Sequence, residues 1–380
     1  MIDTKIQPLN YVKPLSERSS AYDFRSLDIS QNNYDWDKLL SSEFLEQFLF
    51  NSKTKFLSSI ASKFTERLEV AKNRGLGINA LHKKGYTGKG ATVAIIDQPL
   101  LTTHNEIKDK LIHYEEVDEH KSWSNEASQH GIAVSSILCG KNIGVAPDAK
   151  LVYFCVSDTN TDNYINAIDR VIKYNEEHPE NKIHTLSISY AIPTENKEQE
   201  KRLLDIMQKA QESDIFVITT SLEKTHNFSF IGGDRNINNN LDNPQEYKEP
   251  LFIQKRNLSS NNKNSDTKNT LIVPQDRVTV ASPIGNEDYT YYSDGGMSWA
   301  VPYLAGIYAV AKNSFPEITP EKFFDIAIKT GLEKEICGRK CSIINSENII
   351  KTLEFENASD KILNKQNNNN NIILDNTNDR

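Results

Sequence analysis

Short apolar runs recur through the middle of the chain, and stretches with helical spacing separate them. Each run predicts a strand, because it is short, rich in β-branched or aromatic residues and bounded by turn residues. The runs lie at 91–96, 151–156, 184–189, 215–220, 271–274 and 278–281. Since strands alternate with helices, the pattern predicts an α/β fold with a doubly wound, mostly parallel sheet flanked by helices on both faces.

Helical spacing marks the segments between and before these strands. It predicts helices that begin near His130 or lie at 42–49, 56–70, 163–175 and 197–212. The stretch 299–310 is apolar throughout and predicts a helix buried on all sides. Pro302 suits the first turn of that helix, where a backbone amide lacks a partner.

The flanks of this core differ from it in composition. Residues 1–75 are largely polar and predict an N-terminal extension or pro-segment, ahead of a main domain at 76–335. Within that domain, 227–269 is rich in Asn, Gly, Pro and Lys, which predicts an irregular insertion. Residues 336–380 predict a C-terminal extension with a disordered tail, because the tail carries the asparagine run 367–371.

Composition narrows the possible partners. The net charge of -8 and the pI near 5.6 argue against nucleic acid and anionic membranes, because phosphate binding needs clustered Lys and Arg. The chain has no apolar run of membrane-span or signal-peptide length, so we expect a cytoplasmic protein. Its four cysteines predict free thiols and no metal or other cofactor, although Cys337 and Cys341 could oxidise or bind a metal.

Candidate chemistry lies in Asp97, His130 and Ser298. Taken singly, Asp97 could be a turn residue, His130 a structural residue at a helix start and Ser298 a helix cap. Together they offer a nucleophile, because a serine hydroxyl becomes reactive when an imidazole takes its proton and a buried carboxylate fixes the imidazole tautomer. Unpaired amides at the start of the 299–310 helix would also face an oxyanion formed beside Ser298.

The stretches around these residues resemble the Asp, His and Ser motifs of the subtilisin-like serine peptidases, peptidase family S8. The resemblance covers roughly residues 76–335, and the chain order Asp, His, Ser is that of the family. The matching stretches are Gly88-Lys89-Gly90 through Asp97 and His104, then His130-Gly131, Gly144-Val145-Ala146-Pro147-Asp148-Ala149, and Gly296-Met297-Ser298-Trp299-Ala300-Val301-Pro302-Tyr303-Leu304-Ala305-Gly306.

This resemblance implies a subtilisin-like fold and a role for each of the three residues. Ser298 would be the nucleophile, His130 the general base and acid, and Asp97 the residue that orients His130. The implied substrate is a peptide or protein, and the implied reaction requires no cofactor.

Further implications concern the substrate and the chain's first residues. Ser187, Ile188 and Ser189 match the family's substrate-binding strand, whose backbone pairs with an extended peptide. Many members carry a cleaved pro-segment, so residues 1–75 are either a pro-segment or a permanent arm. The stretch between residues 130 and 144 is shorter than in secreted members, and we predict no obligatory calcium.

The chain departs from the family pattern at the oxyanion hole. The family's Asn normally follows the strand that matches 215–220, but a direct register places Glu223 there. A carboxylate would repel the developing oxyanion, so another donor is needed. Asn227 and Ser221 are both candidates.

These observations leave three functional hypotheses. The first is a serine endopeptidase that acts through an acyl-enzyme intermediate. The alternative is a weak or inactive pseudopeptidase that serves as a peptide-binding or regulatory module, as the altered oxyanion hole suggests. A small-molecule esterase or amidase is the least favoured hypothesis. The fold of such enzymes normally places the acid between Ser and His in chain order, whereas here Asp97 comes first.

Overall fold

The computed structural model describes residues 22–31, 36, 48–117, 127–251, 270–336 and 338–375. Its strands are β1 (Tyr22–Asp23), β2 (Phe48–Asn51), β3 (Thr92–Asp97), β4 (Leu111–Glu116), β5 (Lys150–Cys155), β6 (Ile183–Ile188), β7 (Phe216–Thr219), β8 (Ser229–Arg235), β9 (Tyr247–Lys248), β10 (Thr270–Pro274), β11 (Val278–Ala281), β12 (Tyr289–Tyr292), β13 (Leu332–Ile336) and β14 (Arg339–Ile343). Its helices are α1 (Ala61–Val70), α2 (Ile78–Lys83), α3 (Gln129–Cys139), α4 (Thr161–Glu177), α5 (Lys197–Glu212), α6 (Met297–Ser314), α7 (Pro320–Thr330) and α8 (Ser346–Asp375).

Parallel strands form the central sheet in the order β4-β5-β3-β6-β7. The middle strand, β3, is buried at every residue. Its side chains alternate between two cores, with Val93 and Ile95 in one and Ala94 and Ile96 in the other. This double burial explains the unbroken apolar run, and it confirms the predicted doubly wound α/β sheet.

Helices cover both faces of this sheet. Residues of α3, α6 and α7 pack in the core that contains Val93, whereas α4 and α5 pack in the other. The 197–212 prediction matches α5 at both ends, and α6 is buried from Trp299 to Lys312 as its apolar sequence predicts. None of the helices described is both long and apolar enough to cross a membrane.

A second sheet, ordered β13-β14-β10-β8-β9, corrects the prediction that 227–269 is irregular. Its strand β8 lies inside that segment, is largely buried and pairs in parallel with β10. The prediction was wrong here because Gly232 and Gly233 interrupt the apolar pattern. Packing requires the first of these glycines, since a Cβ there would lie 1.9 Å from Oε1 of Gln275. Residues 252–269 of the predicted insertion lie outside the described residues.

The N-terminal region packs into the main domain. Strand β2 pairs with β12 in a sheet ordered β1-β2-β12-β11. The ring of Phe50 lies 5.3 Å from that of Phe64 and 5.1 Å from that of Tyr291. The buried Arg235 donates hydrogen bonds to three carbonyl oxygens within 71–74. The boundary predicted at residue 75 therefore does not separate two packing units.

Of the two helices predicted in the N-terminal region from local spacing, the first is wrong where the structure describes it and the second forms. The stretch 42–49 is predicted to be helical, but Phe48 begins strand β2, and 42–47 lie outside the described residues. Four residues are too few to distinguish the strand's alternation from helical spacing. The helix predicted at 56–70 forms as α1, starting at Ala61.

The C-terminal residues also belong to the core. Strand β14 pairs in parallel with β10, and α8 buries Ile349, Ile350 and Leu353 in the main core. Contrary to the predicted disorder, α8 continues through the asparagine run to Asp375. Composition was a poor guide here, because a helix already nucleated on a core gains one hydrogen bond for each residue it adds.

We predict that Phe50→Ala lowers the free energy of unfolding by about 3–5 kcal/mol, because it empties a buried site between the N-terminal region and β12. Denaturant unfolding measures this change. Leu57→Ala is the matched control from the same region, since Leu57 is 38% exposed and its truncation should cost about 0.5 kcal/mol or less. Equal stability of the two variants would contradict the integral packing of β2.

Candidate active site

Asp97 ends β3 and therefore lies at the carboxyl edge of the central sheet. Its side chain is 5% exposed. The Oδ1 atom accepts a hydrogen bond from the amide of Gln98 at 2.8 Å and lies 2.6 Å from Nδ1 of His130. The middle strand thus presents a buried carboxylate oxygen to an imidazole.

His130 lies in the first turn of α3, which Ser128 caps by accepting the His130 amide proton at 2.9 Å. Burial lowers the pKa of His130, but the charge of Asp97 and the hydrogen bond to it outweigh burial, so the pKa is raised above its ordinary value. Because Nδ1 donates to Asp97, the neutral ring keeps Nε2 as an acceptor. The imidazole can therefore take a proton at Nε2.

Ser298 lies in the first turn of α6, after Gly296, whose φ of +115° favours glycine. Two hydrogen bonds join it to Ser189, which follows β6. The Ser189 hydroxyl donates to the Ser298 carbonyl at 2.8 Å, and the Ser298 hydroxyl donates to the Ser189 carbonyl at 3.2 Å. Within the described part of the chain, the Ser298 hydroxyl is hydrogen bonded to Ser189 rather than to His130.

An aromatic contact series connects the histidine with the N-terminal region. The Trp299 ring lies 5.4 Å from that of His130 and 5.2 Å from that of Tyr292. Arg25 donates a hydrogen bond to the Tyr292 hydroxyl at 3.3 Å. Arg25 and Tyr292 could not be predicted from the sequence, because no local pattern around either residue signals this contact.

A buried carboxylate holds the turn that precedes Ser298. Oδ1 of Asp276 accepts the Gly295 amide proton at 2.8 Å, and Oδ2 accepts the Leu251 amide proton at 2.7 Å. Burial and the nearby Asp294 charge raise the pKa of Asp276 to about 6. The conformation of this turn therefore depends on a residue that the sequence analysis missed.

The two candidate oxyanion donors follow β7. Ser221 is half-buried and its amide donates to Oγ1 of Thr219 at 3.1 Å, whereas Asn227 is exposed. In the residues that the structure describes, no hydrogen bond joins either side chain to Ser298. The Glu223 side chain, which a direct register places at the family's Asn, is exposed.

The predicted substrate-binding residues differ in what they contact. Ser189 bonds to Ser298, as described above. The side chain of Ile188 packs in a hydrophobic core, and that of Ser187 is buried within the sheet. Their main chains pair within the central sheet, Ser187 with Ile95 and Ile218 and Ile188 with Thr219, so Ser189 is the one of the three that lies beyond the paired strand.

Metal ligands are not grouped in the part of the chain that the structure describes, where no three His, Cys, Asp or Glu side chains lie close enough to hold an ion. The buried Glu106 carboxylate accepts hydrogen bonds from the amide and Nδ2 of Asn142, at 2.8 and 3.0 Å, and from the Tyr289 hydroxyl at 2.5 Å. The absence of obligatory calcium stays a prediction. Cys139, Cys155 and Cys341 are buried thiols, and Cys337 lies outside the described residues.

Solved structures with a similar fold include a macrocyclase domain and a maturation protease. The PatG macrocyclase domain has a TM-score of 0.52 and 14% identity, covering 74% of this chain and 96% of that chain. The Prenylagaramide maturation protease PagA has a TM-score of 0.50 and 16% identity, covering 73% of this chain and 98% of that chain. At such identities the likeness concerns the fold alone.

Related sequences include serine proteases of Bacillus subtilis (strain 168). Serine protease AprX is 23% identical over an alignment of 330 residues that covers 76% of this chain and 70% of AprX. Subtilisin E is 25% identical over an alignment of 250 residues that covers 63% of this chain and 60% of Subtilisin E. This chain therefore matches less than two thirds of the length of Subtilisin E.

The sequence pattern of the Subtilase family matches residues 88–371. This match covers most of the chain and includes Asp97, His130 and Ser298. The chain belongs to the subtilase family, whose related members named above are serine proteases.

Proposed function

We propose that this chain is a serine endopeptidase that hydrolyses peptide bonds through an acyl-enzyme intermediate. Ser298 is the nucleophile, His130 the general base and acid, and Asp97 the residue that orients His130. The observation that carries the proposal is the 2.6 Å hydrogen bond between the buried Asp97 carboxylate and Nδ1 of His130, which leaves Nε2 free to accept a proton. Membership of the subtilase family supports the same assignment.

The reaction begins with rotation of the Ser298 hydroxyl from the Ser189 carbonyl to Nε2 of His130, a change of side-chain rotamer. Oγ then attacks the scissile carbonyl and transfers its proton to Nε2, and Asp97 stabilises the resulting imidazolium. The oxyanion meets the Ser298 amide and the positive end of α6.

Protonated His130 next donates its proton to the leaving amine, which separates from the acyl-enzyme. Water then enters, gives a proton to Nε2 of His130 and attacks the ester carbonyl. Collapse of the second tetrahedral intermediate returns this proton to Oγ of Ser298 and releases the new carboxyl group. No cofactor takes part in these steps.

The proposed substrate is an extended peptide or an unfolded protein segment that pairs with the main chain at Ser189, just past the end of β6. The carbonyl of Ser189 becomes available to a substrate amide once the Ser298 hydroxyl has rotated away. Two proteins with a similar fold, a macrocyclase solved in complex with peptide and a maturation protease, support a peptide substrate.

Two observations favour the alternative, a pseudopeptidase that binds peptides without cleaving them. The Ser298 hydroxyl is hydrogen bonded to Ser189, and the family's oxyanion Asn has no counterpart at Glu223. Binding through the main chain at Ser189 would persist without catalysis. Labelling of the nucleophile distinguishes the two functions.

We predict that a fluorophosphonate reagent labels the wild-type protein and that the wild type cleaves casein, whereas Ser298→Ala does neither, because the reagent needs an activated serine. Ser293→Ala, a buried serine in the strand-to-helix connection, is the control and should keep both properties. A folded wild type that neither labels nor cleaves would replace the peptidase with the pseudopeptidase.

A second prediction concerns pH. His130 acts as a base only when neutral, and its pKa is raised, so kcat/KM should fall with decreasing pH through a midpoint above 6.5. Asp97→Asn removes the charge that raises this pKa, so the midpoint should move to lower pH while kcat falls about 10⁴-fold. Asp109→Asn, at a side chain that is 60% exposed, should change neither quantity. A wild-type midpoint below 6.5 would contradict the assignment.

The second oxyanion donor is proposed to be Ser221 rather than Asn227, because Ser221 is half-buried at the end of β7 whereas Asn227 is exposed. We expect Ser221→Ala to lower kcat at least about tenfold with little change in KM, since the oxyanion exists only along the reaction path. Asn227→Ala should leave kcat unchanged. The reverse result would assign the donor to Asn227.

A further inference from the structure

A closed circuit of hydrogen bonds surrounds the Asp97–His130 pair. Asp97 Oδ1 accepts the Gln98 amide proton at 2.8 Å, and the Gln98 side-chain Oε1 accepts the Ser128 hydroxyl proton at 2.5 Å. The Ser128 oxygen accepts the His130 amide proton at 2.9 Å, and His130 Nδ1 returns to Asp97 Oδ1 at 2.6 Å. One glutamine therefore connects the end of β3 with the cap of α3.

The direction of each proton in this circuit is fixed by chemistry. The Ser128 oxygen already accepts the amide of His130, so its own proton needs an acceptor. Oε1 of Gln98 provides that acceptor. Without it, the Ser128 hydroxyl could turn to other partners and its lone pair would no longer be held toward the helix amide.

Main-chain contacts bring the same two segments together and explain why the circuit can close. The Ser128 amide donates to the Pro99 carbonyl at 2.7 Å, and the buried Tyr153 hydroxyl donates to the Gln98 carbonyl. Helix α3 approaches this turn at Gly131, where a Cβ would lie 2.5 Å from the Gln98 carbonyl oxygen. The backbone of residue 98 is thus fixed, and its side chain reaches Ser128 from a defined position.

We propose that Gln98 is a positioning residue that acts through Ser128 to hold His130 in register with Asp97. Gln98 itself need not touch the reacting atoms. The proposal rests on the proposed peptidase function for its kinetic consequences, while its structural consequence, an ordered Nδ1 proton between His130 and Asp97, can be observed without any turnover.

The kinetic test compares Gln98→Met, which keeps the length of the side chain but removes the acceptor, with Gln98→Glu, which keeps an acceptor. Gln98→Met should lower kcat about tenfold with KM unchanged, whereas Gln98→Glu should stay within about threefold of wild type. Ser128→Ala should lower kcat by about the same factor as Gln98→Met. The double variant should have a kcat no lower than that of Ser128→Ala alone, because both changes break the same Gln98–Ser128 hydrogen bond.

Gln129→Ala is the matched control. Gln129 is also half-buried at the start of α3 and bonds through its side chain to the Ala281 carbonyl and the Ser282 hydroxyl, each at 3.3 Å, but it lies outside the circuit. Its loss should leave kcat unchanged. A kcat for Gln98→Met equal to that of Gln129→Ala, or effects of the Gln98 and Ser128 changes that multiply in the double variant, would overturn the proposal.

Proton NMR supplies a readout that does not depend on activity. The His130 Nδ1 proton should give a downfield resonance in wild type and Gln98→Glu, and it should exchange with water at least about tenfold faster in Gln98→Met. Unchanged exchange in Gln98→Met would overturn the positioning role even if wild type proves inactive. If Gln98→Met does not fold, Ser128→Ala provides the same measurement.

Discussion

Burial of β3 on both of its faces is the constraint on which the rest of the structure depends. Its alternating side chains enter two hydrophobic cores. This is the arrangement of a parallel sheet whose two faces are both covered by helices. Parallel pairing brings the ends of β3 and β6 to one edge, where Asp97 and Ser189 lie. Helices α3 and α6 pack on that sheet and bring His130 and Ser298 to the same edge.

The parts of the fold that could be predicted are those in which one local pattern determines burial. The uninterrupted apolar runs of β3 and α6 predict elements that are buried on all sides. The 3.6-residue spacing of α5 predicts both of its ends. Strand β4 could not be found in this way. It lies at the sheet edge, and its partly exposed residues include His113, Glu115 and Glu116, which give no alternation to detect.

The supports of the candidate site were harder to predict because they are not local. Asp276 accepts the amide protons of Gly295 and Leu251, and Arg235 donates to carbonyl oxygens within 71–74. Nearly every residue type has a main-chain amide and carbonyl, so the sequence does not show which residues provide these hydrogen bonds. The stretches around Asp97, His130 and Ser298 could be identified, whereas the buried charges that fix nearby turns emerge only from three-dimensional contacts.

Pairing of β2 with β12 has a consequence for biosynthesis. The Ser52 hydroxyl bonds to the Asp288 carboxylate across a separation of 236 positions, so this edge of the molecule closes only after most of the chain has left the ribosome. Until then β2 lacks its β12 partner, although β1 and the ring of Phe64 are already available to it, and closing so long a loop costs entropy that the β2–β12 contacts then offset. The nascent chain therefore carries β2 with only one of its two strand partners, β1, through most of its synthesis, and the second partner joins late.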